Sequence, residues 1–255
     1  MMEDLSLIQI LILSIIQALT EFLPISSSAH LLLPSKLLGW SDQGLFFDIS
    51  VHFGSLFAVI IYFWKELTNI KFYTSKLFLL VVIATVPLVL ATLFIDELGS
   101  YRWSIQTIAI SNLIFAALLY LSTIVGNNTK SNKDMTILHA VGIGIWQIFS
   151  AISGASRSGT AITGALFFGF RREDAAKFSI LLSIPTIMGA LVFIISKNSV
   201  LNEDSYILDA FIPFLTTFIV SYFCIKWFIS FVKRVGYLPF IIYRVVLGGF
   251  LLWLM

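Results

Sequence analysis

The run Gln17-Ala18-Leu19-Thr20-Glu21-Phe22-Leu23-Pro24-Ile25-Ser26-Ser27-Ser28-Ala29-His30 lies in a chain that is otherwise close to solid hydrocarbon. It gathers an amide, a carboxylate, a threonine, a proline, three consecutive serines and a histidine. No nearby Lys or Arg in sequence neutralises Glu21. An ionisable group inside a bilayer is costly, so it marks a functional site by default.

Outward from this run, composition sets the class. Of 255 residues, 58% are hydrophobic and 12% charged, which is far too apolar for an ordinary soluble domain. Uncharged runs such as 77–95, 104–126 and 178–196 approach or pass the ~20 residues that cross hydrocarbon as a helix. Helices bond their own backbone, which lipid cannot do, and the alternating strands of a β-barrel are absent from the pattern. The expectation is an all-α polytopic membrane protein. The opening Met-Met-Glu-Asp lacks the basic stretch of a secretory signal, so 5–23 reads as retained structure. The lone cysteine, Cys224, excludes an intrachain disulfide and reads as a buried, inert thiol.

Predicted helices are 5–23, 27–38, 45–64, 76–95, 104–126, 136–152, 157–169, 174–196, 208–232 and 238–254. Segments 27–38 and 157–169 are too short to cross, and each follows a polar kink, Pro24-Ile25-Ser26 or Ser153-Gly154-Ala155. Short helices after a break read as re-entrant hairpins. The order then repeats: hairpin plus three transmembrane helices in 1–126, and the same in 136–255, within one membrane domain. Gln17 precedes Ser27 by ten residues, and Gln147 precedes Ser156 by nine. Three crossings per half give two inverted-topology repeats, with the site near the midplane between them.

Loop charge agrees. One side carries Lys65, Lys71, Lys130, Lys133, Arg171, Arg172, Lys177, Lys233 and Arg234, with Lys76 at its boundary. The other holds Arg102 and Lys197 among Asp42, Asp96, Glu97, Glu203 and Asp204. The positive-inside rule makes the first side cytoplasmic and turns both termini outward. Trp40, Trp64 and Trp103 fall at span ends, as an interfacial aromatic belt would place them.

The chemistry gathers at the two kinks. Gln17 and Glu21 share a helix face, Ser26 is placed to cap the next helix, and Ser27 and His30 share one face of its first turn. Ser153-Gly154-Ala155-Ser156-Arg157-Ser158-Gly159-Thr160 opens the other short helix. Helix N-termini attract phosphate, and Arg157 adds a planar fork suited to phosphate oxygens. His30 can act as base, acid or nucleophile. Glu21 can hold a divalent cation or a water. Serines alone mean little between membrane helices, and a lone His or a Glu–Arg pair is about as often structural as functional. Their joint occurrence at matched places in a repeat argues for function. Asp48 and His52, four apart with Ser55 below, line the same cavity or leave Asp48 at the outer interface. His139 reads as interfacial. Arg244 either pairs with Glu21 or Asp48, or snorkels.

At these clusters the chain resembles the undecaprenyl-diphosphate phosphatase family, also called the bacitracin-resistance family. Residues 17–30 resemble its (E/Q)-x-x-x-E-F-L-P-x-S-S-x-x-H stretch, and Gly154-Ala155-Ser156-Arg157-Ser158-Gly159 its P-G-x-S-R-S-G stretch. Phe178 to Pro185 and Tyr243-Arg244 are also similar, and the likeness spans the chain. It implies an integral membrane hydrolase that releases the terminal phosphate of a long-chain isoprenyl diphosphate lipid, recycling the carrier for peptidoglycan synthesis. It further implies a divalent cation (Mg2+ or Ca2+) at Glu21, a homodimer, and a bacterial plasma (inner) membrane location with the site facing outward. No nucleic-acid partner is expected. By matching positions, Glu21, Ser27, His30 and Arg157 are the catalytic candidates. Gln17, Ser26, Ser28, Gly154, Ser156, Ser158 and Thr160 are the substrate-binding ones. Ser27 and His30 both remain candidate nucleophiles. Three departures stand out: Ser153 replaces the family's Pro, Thr160-Ala161 reverses its Ala-Thr, and Gln17 is its non-acidic option. A polyprenyl-phosphate transporter would want the same anion site but has no need of a His beside a Ser. A non-catalytic lipid-binding scaffold would carry the ionisable cluster to no purpose.

Overall fold

The structure is a computed structural model that describes residues 5–92, 104–197 and 207–255, without the side chains of 197 and 207–209. Asp96, Glu97, Arg102, Trp103, Glu203, Asp204, the Lys197 side chain and the end of the predicted helix 76–95 lie outside the described residues.

The described backbone is helical apart from turns and one bridge between Lys130 and Phe170. The helices are α1 (Leu7–Thr20), α2 (Ser27–Leu38), α3 (Gly44–Tyr62), α4 (Trp64–Leu67), α5 (Ile70–Tyr73) and α6 (Lys76–Thr92). Then come α7 (Ile105–Val125), α8 (Ile137–Ile148), α9 (Arg157–Phe167), α10 (Arg172–Lys197), α11 (Ile207–Arg234) and α12 (Leu238–Trp253). Every predicted helix is present within a few residues at each end that the structure describes. The stretch 65–75, expected as plain loop, contains α5 and most of α4. Four helices are long and apolar enough to cross a membrane: Gly44–Tyr62, Ile105–Val125, Arg172–Ser196 and Ala210–Arg234. The other two expected spans are shorter, 17 residues in α6 as described and 16 in α12.

The chain is built for lipid. Ile8, Ile70, Leu138, Val246 and Trp253 are more than 60% exposed, an apolar surface that water would not tolerate. The interior holds polar groups instead: Ser14, Gln17, Asn112, Gln147, Ser183, Thr217, Ser221 and Arg244 are fully buried. Small residues let the helices close. A Cβ on Gly54 of α3 would sit 2.5 Å from the Phe214 carbonyl of α11, and one on Gly144 of α8 would sit 2.5 Å from the Ala84 carbonyl of α6. This is how helices associate where lipid gives no hydrophobic drive. Thr217, Ser221 and Cys224 of α11 then donate to the Ser14, Ala18 and Leu19 carbonyls of α1. Cys224 is buried and unpaired with any cysteine, as expected.

The two kinked helix pairs, α1–α2 and α8–α9, are built alike. Ser6 caps α1 with Gln9 answering, and Thr136 caps α8 with His139 answering, a reciprocal pair that satisfies two orphan amides at each start. One constant interval separates Ser6 from Thr136, Leu7 from Ile137, Gln17 from Gln147, and Ser26 from Ser156. The structure thus matches Ser156 to Ser26, not to Ser27 as the ten-and-nine spacing had it. Packing is reciprocal as well: α1 lies on α11 as α8 lies on α6, while α3 meets α10 and α7 meets α12. At ~1.5 Å per residue, α2 and α9 reach only ~16–18 Å, about half of a ~30 Å hydrocarbon core.

Candidate active site

Both short helices start from a strained residue. Ser26 has φ 71° and Ser156 φ 73°, a region that L side chains avoid. Such conformations cost of order 1–3 kcal/mol and persist only where the surroundings fix them. Arg244 of α12 is one cause. It is fully buried, and its guanidinium donates to the Pro24 carbonyl of one kink and to the Gly154 and Ala155 carbonyls of the other. Asn112 of α7 accepts from its Nε at 2.9 Å and donates to its carbonyl at 2.7 Å. Arg244 therefore meets neither Glu21 nor Asp48 and does not snorkel. It ties the two kinks together. Side chains add to the tie: Ser158 donates to the Leu23 carbonyl, the Gly154 amide donates to Ser28, and Ser111 donates to the Ser153 carbonyl.

This brings the two sequence clusters to one place. Arg157 Nη2 is 3.2 Å from Glu21 Oε1 and 3.4 Å from the Glu21 carbonyl, while Nη1 reaches the Ser179 carbonyl at 3.3 Å. The Arg157 Nε–H has no partner among the described residues. Gln17 donates to Glu21 Oε2 at 2.9 Å. His52 of α3 joins the group, its Nε2 3.4 Å from the Gln17 amide and 3.9 Å from Glu21 Oε2. Asp48 contributes its carbonyl, which accepts from His52 Nδ1 at 2.6 Å.

His30 is fixed at both ends. Its Nδ1–H donates to the Ser26 carbonyl at 2.6 Å, which leaves Nε2 as an acceptor for the Tyr243 hydroxyl at 2.7 Å. The two rings stack at 5.5 Å. His30 makes no hydrogen bond to Ser27, so a preformed Ser27–His30 pair is not present.

The other candidates divide into ties and open groups. Ser158 and Thr160 are buried, with hydroxyls committed to the Leu23 and Arg157 carbonyls. Ser156 caps the Gly159 amide at 3.1 Å. Ser26, expected to cap α2, does not: its hydroxyl pairs with Ser28 at 3.0 Å. The first-turn amides of α2 thus carry no side-chain cap, and Ser27 sits at that uncapped end. Unsatisfied N–H groups and the positive helix end together make an anion site.

A cation fits these residues in part. Glu21 Oε2 takes the Gln17 amide while Oε1 takes Arg157, and Gln17 Oε1 is buried without a partner among the described residues, a hard oxygen able to join a carboxylate around a dication.

Sequence reasoning ranked His52 low and overlooked Asn112 and Ser111. Two adjacent polar residues in the middle of the apolar run 104–126 were the available signal.

Comparison with known proteins gives one consistent result. The sequence profile of the family described as "Bacitracin resistance protein BacA" matches residues 10–250. A protein of Alcanivorax borkumensis named "Undecaprenyl-diphosphatase" is 43% identical, over 96% of this chain and 98% of its own length. Proteins of the same name from Saccharophagus degradans and Alteromonas mediterranea are each 40% identical, covering 93% and 97% of this chain and 94% and 98% of their own.

Proposed function

Since this chain belongs to the bacitracin resistance protein BacA family, we propose the following catalytic reading of its site. The protein is an integral membrane hydrolase. It cleaves undecaprenyl diphosphate to undecaprenyl phosphate and inorganic phosphate. The observation that carries the catalytic reading is the uncapped start of α2, with Ser27 on it, His30 one turn on, and Arg157 arriving from the other half.

The terminal phosphate sits against the free amides of α2, and Arg157 offsets its charge. Phosphoryl transfer depends chiefly on such positioning and electrostatics. Ser27, whose hydroxyl is uncommitted, attacks the terminal phosphorus. The phosphorus–bridging oxygen bond breaks and undecaprenyl phosphate leaves. The Ser27 proton passes to His30 Nε2 once Tyr243 yields that nitrogen, and the Ser26 carbonyl steadies the imidazolium through Nδ1. That proton passes on to the leaving undecaprenyl phosphate, and His30, neutral again, takes a proton from the water that hydrolyses the phosphoserine and returns it to Ser27 Oγ. A divalent cation, when bound at Glu21 with Gln17, supplies further charge neutralisation for the diphosphate.

The two halves cross the membrane in opposite senses, which places the basic loops 127–135 and 170–177 in the cytoplasm and the site toward the outer face of the plasma membrane. The positive-inside rule supports this orientation.

Phosphate release from the purified protein with a long-chain isoprenyl diphosphate tests the activity. Trapping the phospho-enzyme tests the nucleophile: acid-stable label on Ser27 is expected, and acid-labile label on His30 would overturn that assignment. The reciprocal hairpins also favour a second reading, since paired broken helices are transporter architecture. Lipid uptake into vesicles without phosphate release would select it.

A further inference from the structure

A half-helix leaves a gap that a full span does not. α7 runs 21 residues, about 32 Å at ~1.5 Å per residue, and crosses the hydrocarbon. α8 runs 12 residues and ends at the turn before the second kink, roughly halfway across. On the orientation proposed above, α8 rises from the cytoplasmic side. Its own helix pair therefore puts nothing into the outer half of the bilayer beyond its tip.

A cavity of about 560 Å³ opens between that tip and α7, within the ~300–1,000 Å³ of ligand sites. Ile110, Ile114 and Leu118 form the wall on α7, and Trp146, Phe149 and Ile152 the wall opposite. Gln106 and Thr107 mark its outer rim, and among the described residues no charged side chain lines it. The aromatic wall is preformed. Trp146 stacks on Phe167 at 5.3 Å and lies against Gly164, where a Cβ would meet it at 2.8 Å. Phe149 sits between Trp146 and Phe115, at 5.9 and 5.8 Å.

The floor of the cleft borders the candidate active site. Ser111 lines the cavity and donates to the Ser153 carbonyl. The next residue, Gly154, donates its amide to Ser28 Oγ at 3.2 Å, and Ser28 follows Ser27. The cleft and the phosphate site thus share the Ser153–Gly154 backbone as a border.

We propose that this cleft seats the isoprenoid chain of the lipid diphosphate as it leaves the site, a reading that rests on the phosphatase assignment for the head group. The uncharged lining suits a hydrocarbon chain and excludes a head group or free phosphate. An ordinary phospholipid keeps its head group at the membrane surface, whereas a diphosphate held at the two kinks lies near the midplane, and its chain has to depart at that depth. A helix of a second copy would need a seam of small residues, and these walls are bulky. Lipid is as apolar as the cleft, so the seat orients the chain, and through it the phosphates, more than it strengthens binding.

The test uses the full chain, purified in detergent. A methylene-bridged isoprenyl diphosphate analogue carrying a diazirine on its chain is photolysed with the protein, and the labelled peptides are mapped by mass spectrometry. Label is expected within 106–118 and 146–152, suppressed by excess undecaprenyl phosphate. Label elsewhere overturns the proposal. So does labelling of the cleft by a diazirine phospholipid that undecaprenyl phosphate does not displace, which would make it a seat for bulk lipid. Ile114→Trp, which fills the cleft, is expected to lower the ratio of kcat/KM for undecaprenyl diphosphate over dimethylallyl diphosphate, whose single unit is too short to occupy it, by ~10-fold or more, the scale of a misplaced reacting group. Leu121→Trp, further along α7 and outside the cleft, is expected to keep the ratio. A ratio unchanged in Ile114→Trp overturns the seat. The two readings fail separately: hydrolysis with label outside the cleft overturns the seat alone, while label in the cleft without hydrolysis of any diphosphate overturns the phosphatase reading and leaves the seat standing.

Discussion

Ser26 and Ser156 hold one backbone conformation, φ 71° and ψ 106° in the first, φ 73° and ψ 117° in the second, each immediately before a half-helix. Glycine adopts such angles freely, yet serine stands at both. Ser156 uses its hydroxyl as a cap, whereas Ser26 turns its own to Ser28. Ser26→Gly is therefore expected to melt above Ser26→Ala, by the equivalent of ~1 kcal/mol of relieved strain. Thermal melts in detergent read this, and the reverse order would mean that the angle is not strained.

Arg244 binds carbonyls of both kinks, and among the described residues no carboxylate pairs with it. Its removal strands the Pro24, Gly154 and Ala155 carbonyls together with Asn112 Oδ1. Each buried acceptor left unpaired costs ~1–3 kcal/mol. Arg244→Met is expected to lose most of the folded protein, and Arg244→Lys to rescue little, because a point charge cannot span the fork of acceptors. Recovery of folded protein on size-exclusion chromatography measures it. A well-folded Arg244→Met protein would show that the kinks hold without the clamp.

The helices were legible because lipid imposes one pattern on the whole chain: long uncharged runs, punctuated by Pro24 and Gly154. The two short helices were legible for the same reason, since 12 and 11 residues cannot cross. Glu21 with Arg157 could be foreseen as two costly charges at matched kinks. Arg244 could not be assigned, because its partners are backbone carbonyls, which carry no signature in side-chain identity. His52 was undervalued because its meeting with Glu21 depends on how α3 packs beside α1, a tertiary relation that periodicity within either helix does not contain. The repeat register slipped by one at Ser27 because three consecutive serines give the eye no landmark, whereas φ singles out Ser26.

Arg157 is 14% exposed at its side chain and Glu21 8%, so their ion pair is largely withdrawn from water. Arg157→Ala is expected to lower phosphate release by ~10²–10³-fold or more, the usual effect of removing a charge aimed at a reacting phosphoryl group. Arg157→Lys restores the charge without the fork and is expected to fall between the two. Turnover of Arg157→Ala within a few-fold of the parent would show that Arg157 serves only to neutralise Glu21.

Tyr243 holds His30 in two ways, through its hydroxyl at 2.7 Å from Nε2 and through its ring, stacked with an interplanar angle of 7°. Tyr243→Phe removes the first and keeps the second. If the hydroxyl only parks Nε2 until phosphate arrives, the loss is one neutral hydrogen bond, ~1 kcal/mol, and kcat should change by less than ~10-fold. Tyr243→Ala removes the stacked ring as well. His30 then depends on the Ser26 carbonyl alone for its orientation, and kcat should fall further than in Tyr243→Phe while KM changes less. Steady-state phosphate release at saturating and limiting lipid separates the two constants. A Tyr243→Phe enzyme as impaired as Tyr243→Ala would mean that the hydroxyl itself carries a proton in the reaction, and that His30 works through it rather than past it.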